Sequence, residues 1–262
     1  PRRISVRLHA YGEGRRLLLS RDVTALEQAE AMRRDFVANV SHEIRTPLTV
    51  MSGFVETLQN LDLDGAERAR YLSLMASQAH RMQALVNDLL TLSRLEGSPL
   101  PRGQSWASAQ GLLQACEQEA RGLSAALRKP QELRFEADVG LAVAVEGTEW
   151  GSAMSNLVAN AIRYTPQEGV IAITASMVDE ATVIEVANPG SGIHPELQER
   201  IFDRFYSERP ASEAFGTHSG LGLSIARQIV ETFRGQISAG NKHNQDGNVS
   251  GAIFTIKLPL LL

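Results

Sequence analysis

The chain has 262 residues, 43% apolar and 21% charged, which suits about two globular domains and excludes a disordered chain. Acidic residues outnumber basic ones by 30 to 26, a net charge of -4 that argues against a nucleic-acid backbone as partner. A single cysteine, Cys116, excludes an intramolecular disulfide and a cysteine-rich metal centre, and no apolar run reaches the length of a membrane span.

No signal peptide is recognisable, and the sequence opens at Pro1 without a methionine, so it reads as a fragment. Residues 4–8 alternate apolar and charged, Tyr11-Gly12-Glu13-Gly14 makes a turn, and residues 15–20 are again strand-like, which predicts a hairpin. With Arg21-Asp22-Val23-Thr24 after it, this segment resembles the last two strands and exit motif of a PAS sensory domain, residues 1–25. Asp22 and Thr24 are expected to cap a helix running through Glu27 and Arg34.

That helix continues into the most informative stretch. Val37, Ile44, Leu48, Met51, Val55 and Leu58 step by three and four, the seam of a coiled coil or helical bundle. With Ile44, Met51 and Leu58 at d, and Ser41, Leu48 and Val55 at a, His42 falls at b and Thr46 at f. The imidazole then points outward with Glu43 beside it, and Pro47 is expected to bend the helix and free the carbonyl of Glu43. The run Ser41-His42-Glu43-Ile44-Arg45-Thr46-Pro47-Leu48 resembles the phosphoacceptor box of bacterial sensor histidine kinases, most closely the phosphate-regulon type. The resemblance implies that His42 is the phosphorylated nucleophile, that Glu43 takes its proton, and that Thr46 positions water for dephosphorylation of a partner.

The first helix should end near Asn60, with a turn over residues 61–65. In the second, Met75, Met82 and Leu89 share one seam position. Tyr71, Leu85 and Leu92 share the other, with Gln78 as a polar interruption, and Leu72, Ala79 and Val86 widen the stripe. Ser98-Pro99-Leu100-Pro101 should stop this helix. The stripe is too wide for a lone hairpin, so residues 26–97 are expected to form a dimeric antiparallel four-helix bundle; the alternative is packing on the C-terminal domain.

Beyond Gln104 the pattern changes to helix 106–127, strands 133–137 and 141–145, helix 149–164, strands 170–177 and 182–187, helix 220–233, and strands 236–239 and 252–258. This predicts a multidomain α and α+β protein whose residues 98–262 form an α/β sandwich with helices on one face of a mixed sheet.

Four motifs punctuate that half. Asn156, Asn160, Arg163 and Tyr164 fall on nearly one helix face, offering hard amide oxygens, a phosphate contact and an aromatic stacking surface. Asn188-Pro189-Gly190-Ser191-Gly192-Ile193 leaves a strand through a glycine turn. Ile201-Phe202-Asp203-Arg204-Phe205-Tyr206 offers aromatic anchors for a loop. Gly216-Thr217-His218-Ser219-Gly220-Leu221-Gly222-Leu223 opens a helix, where free N–H groups favour an anion.

In this order, behind the phosphoacceptor box, the four resemble the N, G1, F and G2 boxes of the histidine-kinase ATPase domain, which shares its GHKL fold with Hsp90, gyrase B and MutL. The resemblance implies an ATP and Mg²⁺ site in which Asn160 holds the metal and Tyr164 stacks on adenine. It adds Asn156, Arg163, Asn188, Gly190, Gly192, Ile193, Thr217, Ser219, Gly220, Leu221, Gly222 and Leu223 as nucleotide-binding residues. Two positions depart from the pattern: Asn188 stands where an aspartate is usual, and His218 where a glycine is common.

The function implied is autophosphorylation of His42 from Mg-ATP, transfer to an aspartate of a response regulator, and phosphatase activity on that regulator. A catalytically weakened phosphatase or docking scaffold is the alternative that Asn188 and His218 motivate. The expected partners are a receiver domain and a second copy of the chain, with no nucleic acid. The expected location is the cytoplasmic portion of an inner-membrane-anchored parent, with membrane contact only through segments outside this sequence.

Overall fold

The structure is a computed structural model that describes residues 2–11, 15–97, 106–145, 147–206 and 219–259. The chain divides into two compact units, Pro1–Met82 and Gln83–Leu262.

The first unit opens with β1 (Ile4–Tyr11) and β2 (Arg15–Asp22), an antiparallel ribbon in register from Ile4 opposite Asp22 to Tyr11 opposite Arg15. The turn expected at Gly12-Glu13-Gly14 lies outside the described residues. Two strands alone are marginal, and this ribbon is tied to the helix that follows. The N–H of Val23 donates to the Arg3 carbonyl at 2.9 Å, and the Arg3 guanidinium meets Glu27 at 3.1 Å.

Helix α1 (Thr24–Asn60) starts where expected, and of the two expected caps only Asp22 bonds its first N–H. Asp22 Oδ1 accepts from the N–H of Thr24 at 2.9 Å, whereas the Thr24 hydroxyl accepts from the N–H of Arg3 at 2.7 Å. Thr24 therefore fastens the ribbon, because the first strand brings a free backbone donor within its reach. The helix runs past the buried Pro47 without a break.

At the turn, Asp64 Oδ1 accepts from the N–H of Glu67 at 2.7 Å, and Glu67 Oε2 accepts from that of Asp64 at 3.1 Å. This reciprocal capping box starts α2 (Gly65–Gly97). The stop motif at Ser98-Pro99-Leu100-Pro101 lies outside the described residues.

Phe54 and Tyr71 hold the hairpin together with ring centroids 5.6 Å apart. Positions Ile44, Met51 and Leu58 are half-buried, whereas Leu48 and Val55 are 47% and 37% exposed and Leu72 is 52% exposed. One side of the apolar stripe thus stays exposed among the described residues. Gln78, the predicted polar layer, is 8% exposed.

In the second unit, five strands form one mixed sheet in the order β4-β6-β7-β9-β8. They are β4 (Glu132–Ala137), β6 (Val170–Val178), β7 (Ala181–Pro189), β8 (Gln236–His243) and β9 (Val249–Pro259). β4 and β6 are parallel and every other pair is antiparallel. Helices α3 (Ala109–Ala126), α4 (Gly147–Tyr164) and α5 (Gly222–Thr232) cover the sheet. Trp150, Leu157, Ile162, Ile225 and Ile229 of the helices and Ile171, Ile173 and Ile256 of the sheet are buried in a core from which water is excluded.

Three expectations are corrected. Residues 106–108 are a strand, β3 (Trp106–Ser108), and the helix begins only after Ser108, whose Oγ accepts from the N–H of Gly111 at 3.3 Å. The expected strand 141–145 contracts to β5 (Ala142–Ala144), which pairs antiparallel with β3 and stands apart from the main sheet. The last helix starts at Gly222 because Gly220 adopts φ +67, outside helical geometry. Cys116 is buried in α3, and desolvation pushes its thiol up to about 12, as suits an inert core filler.

Candidate active site

The candidate residues fall into two sets, and each is built within one unit. On α1 the side chain of His42 is exposed, as its heptad position predicts. Thr46 Oγ1 donates to the His42 carbonyl at 3.1 Å, so the hydroxyl is held one turn along, on the same side of the helix. Glu43 is half-buried and faces α2, where Arg81 Nη2 donates to its Oε2 at 3.1 Å. Arg81 was not anticipated, because a single basic residue flanking a seam carries no local signature.

In the second unit, a cavity of about 500 Å³ opens between α4, the start of α5 and the loop after β7. It gathers most of the predicted binding set. Asn156, Asn160, Arg163 and Tyr164 come from α4, and Asn188, Gly190, Gly192 and Ile193 come from the end of β7. Ser219, Gly220, Gly222 and Leu223 come from the start of α5. Leu221 lies among them in sequence but is fully buried beneath the wall. Thr217 and His218 lie outside the described residues.

Glycine is required at Gly192 and Gly220 by their positive φ and surroundings, and at Gly222 a larger residue would displace the Asn156 side chain. A Cβ on Gly192, which has φ +72, would lie 2.6 Å from Asn241 Oδ1. One on Gly220 would lie 2.8 Å from the Phe205 backbone, and one on Gly222 2.9 Å from Asn156 Oδ1. The last contact shows how closely α5 crosses α4.

The walls are fixed by residues that sequence patterns did not single out. Asn241 on β8 accepts from the Ile193 N–H at 2.7 Å and donates to the Ile193 carbonyl at 2.8 Å, clamping the loop after β7. Lys129 Nζ donates to the carbonyls of Ile162, Arg163 and Thr165 at 3.1, 2.6 and 3.1 Å, and Gln131 Nε2 reaches Ile162 and Thr165 at 2.9 Å each. Together they satisfy the final turn of α4, which presents Arg163 and Tyr164. No spacing rule links positions so far apart.

Among the described residues, charge in the cavity is sparse and partly desolvated. Burial lowers the proton affinity of the Arg163 guanidinium, opposed by Tyr164 and Asp88. Burial raises that of the Asp88 carboxyl, opposed by the hydrogen bond from Ser219 and by Arg163. Asn188 is buried, and its Nδ2 donates to the Pro189 carbonyl at 3.1 Å. Among the described residues no three His, Cys, Asp or Glu side chains converge to hold a metal ion.

The chain is similar to known proteins over nearly all of its length. Residues 32–98 match the His Kinase A (phospho-acceptor) domain, and residues 147–262 the Histidine kinase-, DNA gyrase B-, and HSP90-like ATPase. The phosphate regulon sensor protein PhoR of Pseudomonas aeruginosa is 40% identical over 240 residues, which are 90% of this chain and 53% of that protein. The sensor-like histidine kinase SenX3 of Mycobacterium tuberculosis is 34% identical over 92% of this chain and 57% of its own length. The chain thus spans about half the length of these curated relatives.

Among solved structures, the histidine kinase AdeS of Acinetobacter baumannii superposes with a TM-score of 0.65 at 22% identity, over 84% of this chain and 98% of that one. The histidine kinase ThkA, solved in complex with the response regulator TrrA, gives a TM-score of 0.66 at 22% identity over 98% of this chain and 79% of its own. At that identity both bear on the fold. An exposed histidine in the phospho-acceptor helix, a preformed cavity in the ATPase domain and these two matches in that order make the chain a member of the sensor histidine kinases.

Proposed function

We propose that the chain is an ATP-dependent protein-histidine kinase core. It phosphorylates His42 and passes the phosphoryl group to an aspartate on the receiver domain of a response regulator. The observation that carries this reading is the convergence of residues 156–164, 188–193 and 219–223 on one cavity, in a chain whose α1 exposes His42. A ring nitrogen of His42 attacks the γ-phosphorus, the bond to the β–γ bridging oxygen breaks, and ADP leaves. The imidazole proton passes to Glu43.

In the cavity Tyr164 offers a face for adenine, and Arg163 and the N–H groups opening α5 offer positive charge to phosphates. With the Asn188 amide nitrogen committed to Pro189, its side-chain carbonyl is the end available to accept from the exocyclic amine of adenine. That supports binding despite the missing carboxylate and speaks against a silent scaffold. Amide oxygens without a cluster of acids fit Mg²⁺ held largely by the nucleotide, with Asn160 as the protein ligand, and the ion would neutralise phosphate charge during transfer.

Residues 1–25 are the end of a PAS-like sensory domain, 26–97 the dimerisation and phosphotransfer hairpin, and 98–262 the catalytic domain. The exposed apolar side of the hairpin supports homodimerisation, and Thr46 supports phosphatase chemistry on the regulator. No described helix is long and apolar enough to cross a membrane. The relatives are about twice as long as this chain, and we place it as the cytoplasmic portion of an inner-membrane-anchored parent.

The test is incubation of the chain and of His42→Ala with γ-labelled ATP and Mg²⁺. The wild type should acquire an acid-labile, base-stable label and His42→Ala none. Label of equal amount on both proteins would refute the assignment.

A further inference from the structure

We propose that Asp88 is an internal competitor for the phosphates of the nucleotide, its charge setting how tightly the cavity holds a polyanion. This rests on the reading of the cavity as the nucleotide site, and it assigns a role to a residue of α2 that neither the motifs nor the reaction uses.

Asp88 belongs to the Gln83–Leu262 unit and lines the cavity beside Arg163, Ser219 and Gly222. Ser219 Oγ donates to Asp88 Oδ2 at 2.6 Å and accepts from the Leu221 N–H at 3.1 Å. Leu221 immediately precedes α5, whose start has no side-chain cap among the described residues, so the positive end of the helix lies beside Ser219 at this corner. A carboxylate thus ends a chain of donors that starts at the helix, where an incoming phosphate would take its hydrogen bonds.

Arg163, the cation of the same wall, feels that carboxylate. Both groups are partly removed from water, so solvent screens them weakly. An arriving phosphate must take donors from Asp88, share Arg163 with it and sit near its negative charge. The penalty grows with the charge of the ligand, whereas adenosine, which carries none, escapes it.

The test uses the full chain, Asp88→Asn and Asp88→Ala, each titrated by calorimetry with adenosine, ADP and ATP. Asn keeps the size of the side chain and an acceptor for Ser219; Ala removes both, so together they separate charge from packing. Adenosine affinity should be unchanged, ADP should tighten, and ATP should tighten most, on the order of tenfold for one like charge removed. The gain should shrink in raised salt. Unchanged or weaker ATP binding in the variants would overturn the proposal, as would an equal gain for adenosine and ATP. A wild type that binds none of the three refutes the nucleotide reading itself, and the proposal with it.

Discussion

At the scale of single residues, Asn160 and Thr46 separate the two activities proposed for the chain. Asn160 lines the cavity with a hard oxygen donor, and no acidic cluster among the described residues can replace it. Asn160→Ala should therefore abolish labelling of His42 while leaving the thermal transition in place; undiminished labelling would remove it from the metal site. Thr46 touches the His42 carbonyl through its hydroxyl, and its loss removes no apolar core. Thr46→Ala should spare autophosphorylation and slow regulator dephosphorylation, both followed with labelled phosphate, whereas an equal fall in both would make the hydroxyl a helix brace only. Sequence alone placed these two residues well, because helical periodicity fixes which side chains share a face. It could not place Glu43 against Arg81, since that pair depends on how two helices are rotated about their own axes.

Among the elements, α4 is the most informative. Its inward face is Trp150, Met154, Leu157 and Ile162, its other face lines the cavity, and its end is held from outside by Lys129 and Gln131. Lys129→Met keeps the apolar stem and removes the ammonium, leaving carbonyls of the last turn short of donors and losing a cation at the negative end of the helix. Unfolding measured in denaturant should show a loss of about 1–3 kcal/mol. A stability equal to wild type would mean that water replaces the ammonium without cost. The motif on α4 was readable in the sequence because it is local. Its clamp was not, because Lys129 and Arg163 lie 34 positions apart and meet only once β4 and β6 align in parallel.

For the molecule as a whole, the informative surface is the apolar one left exposed among the described residues of the hairpin. Leu48, Val55 and Leu72 are exposed on the hairpin, in a unit whose own buried interior is small. Leu48→Lys with Val55→Lys should convert a dimer into monomers by sedimentation equilibrium, while His42 remains on a helical stem by circular dichroism. A dimer that survives both substitutions would locate the contact elsewhere. The seam was legible in the sequence as an excess of apolar positions over what one partner helix can cover.

The sequence by itself determined the helical hairpin, the outward histidine, most of the helix-and-strand order of the second unit and most of the motif residues that line the cavity. Each of these follows from spacing along one element or one turn, which the chain carries wherever it folds. Only the tertiary structure decided that residues 106–108 pair as a strand with β5, that Thr24 fastens the ribbon, that Asp88 lines the cavity, and that Lys129 and Asn241 brace its walls from behind. Those contacts join residues distant in sequence. A hydrogen bond between them exists only after the sheet has set its register and the helices have packed on it, and nothing in either local segment encodes that meeting.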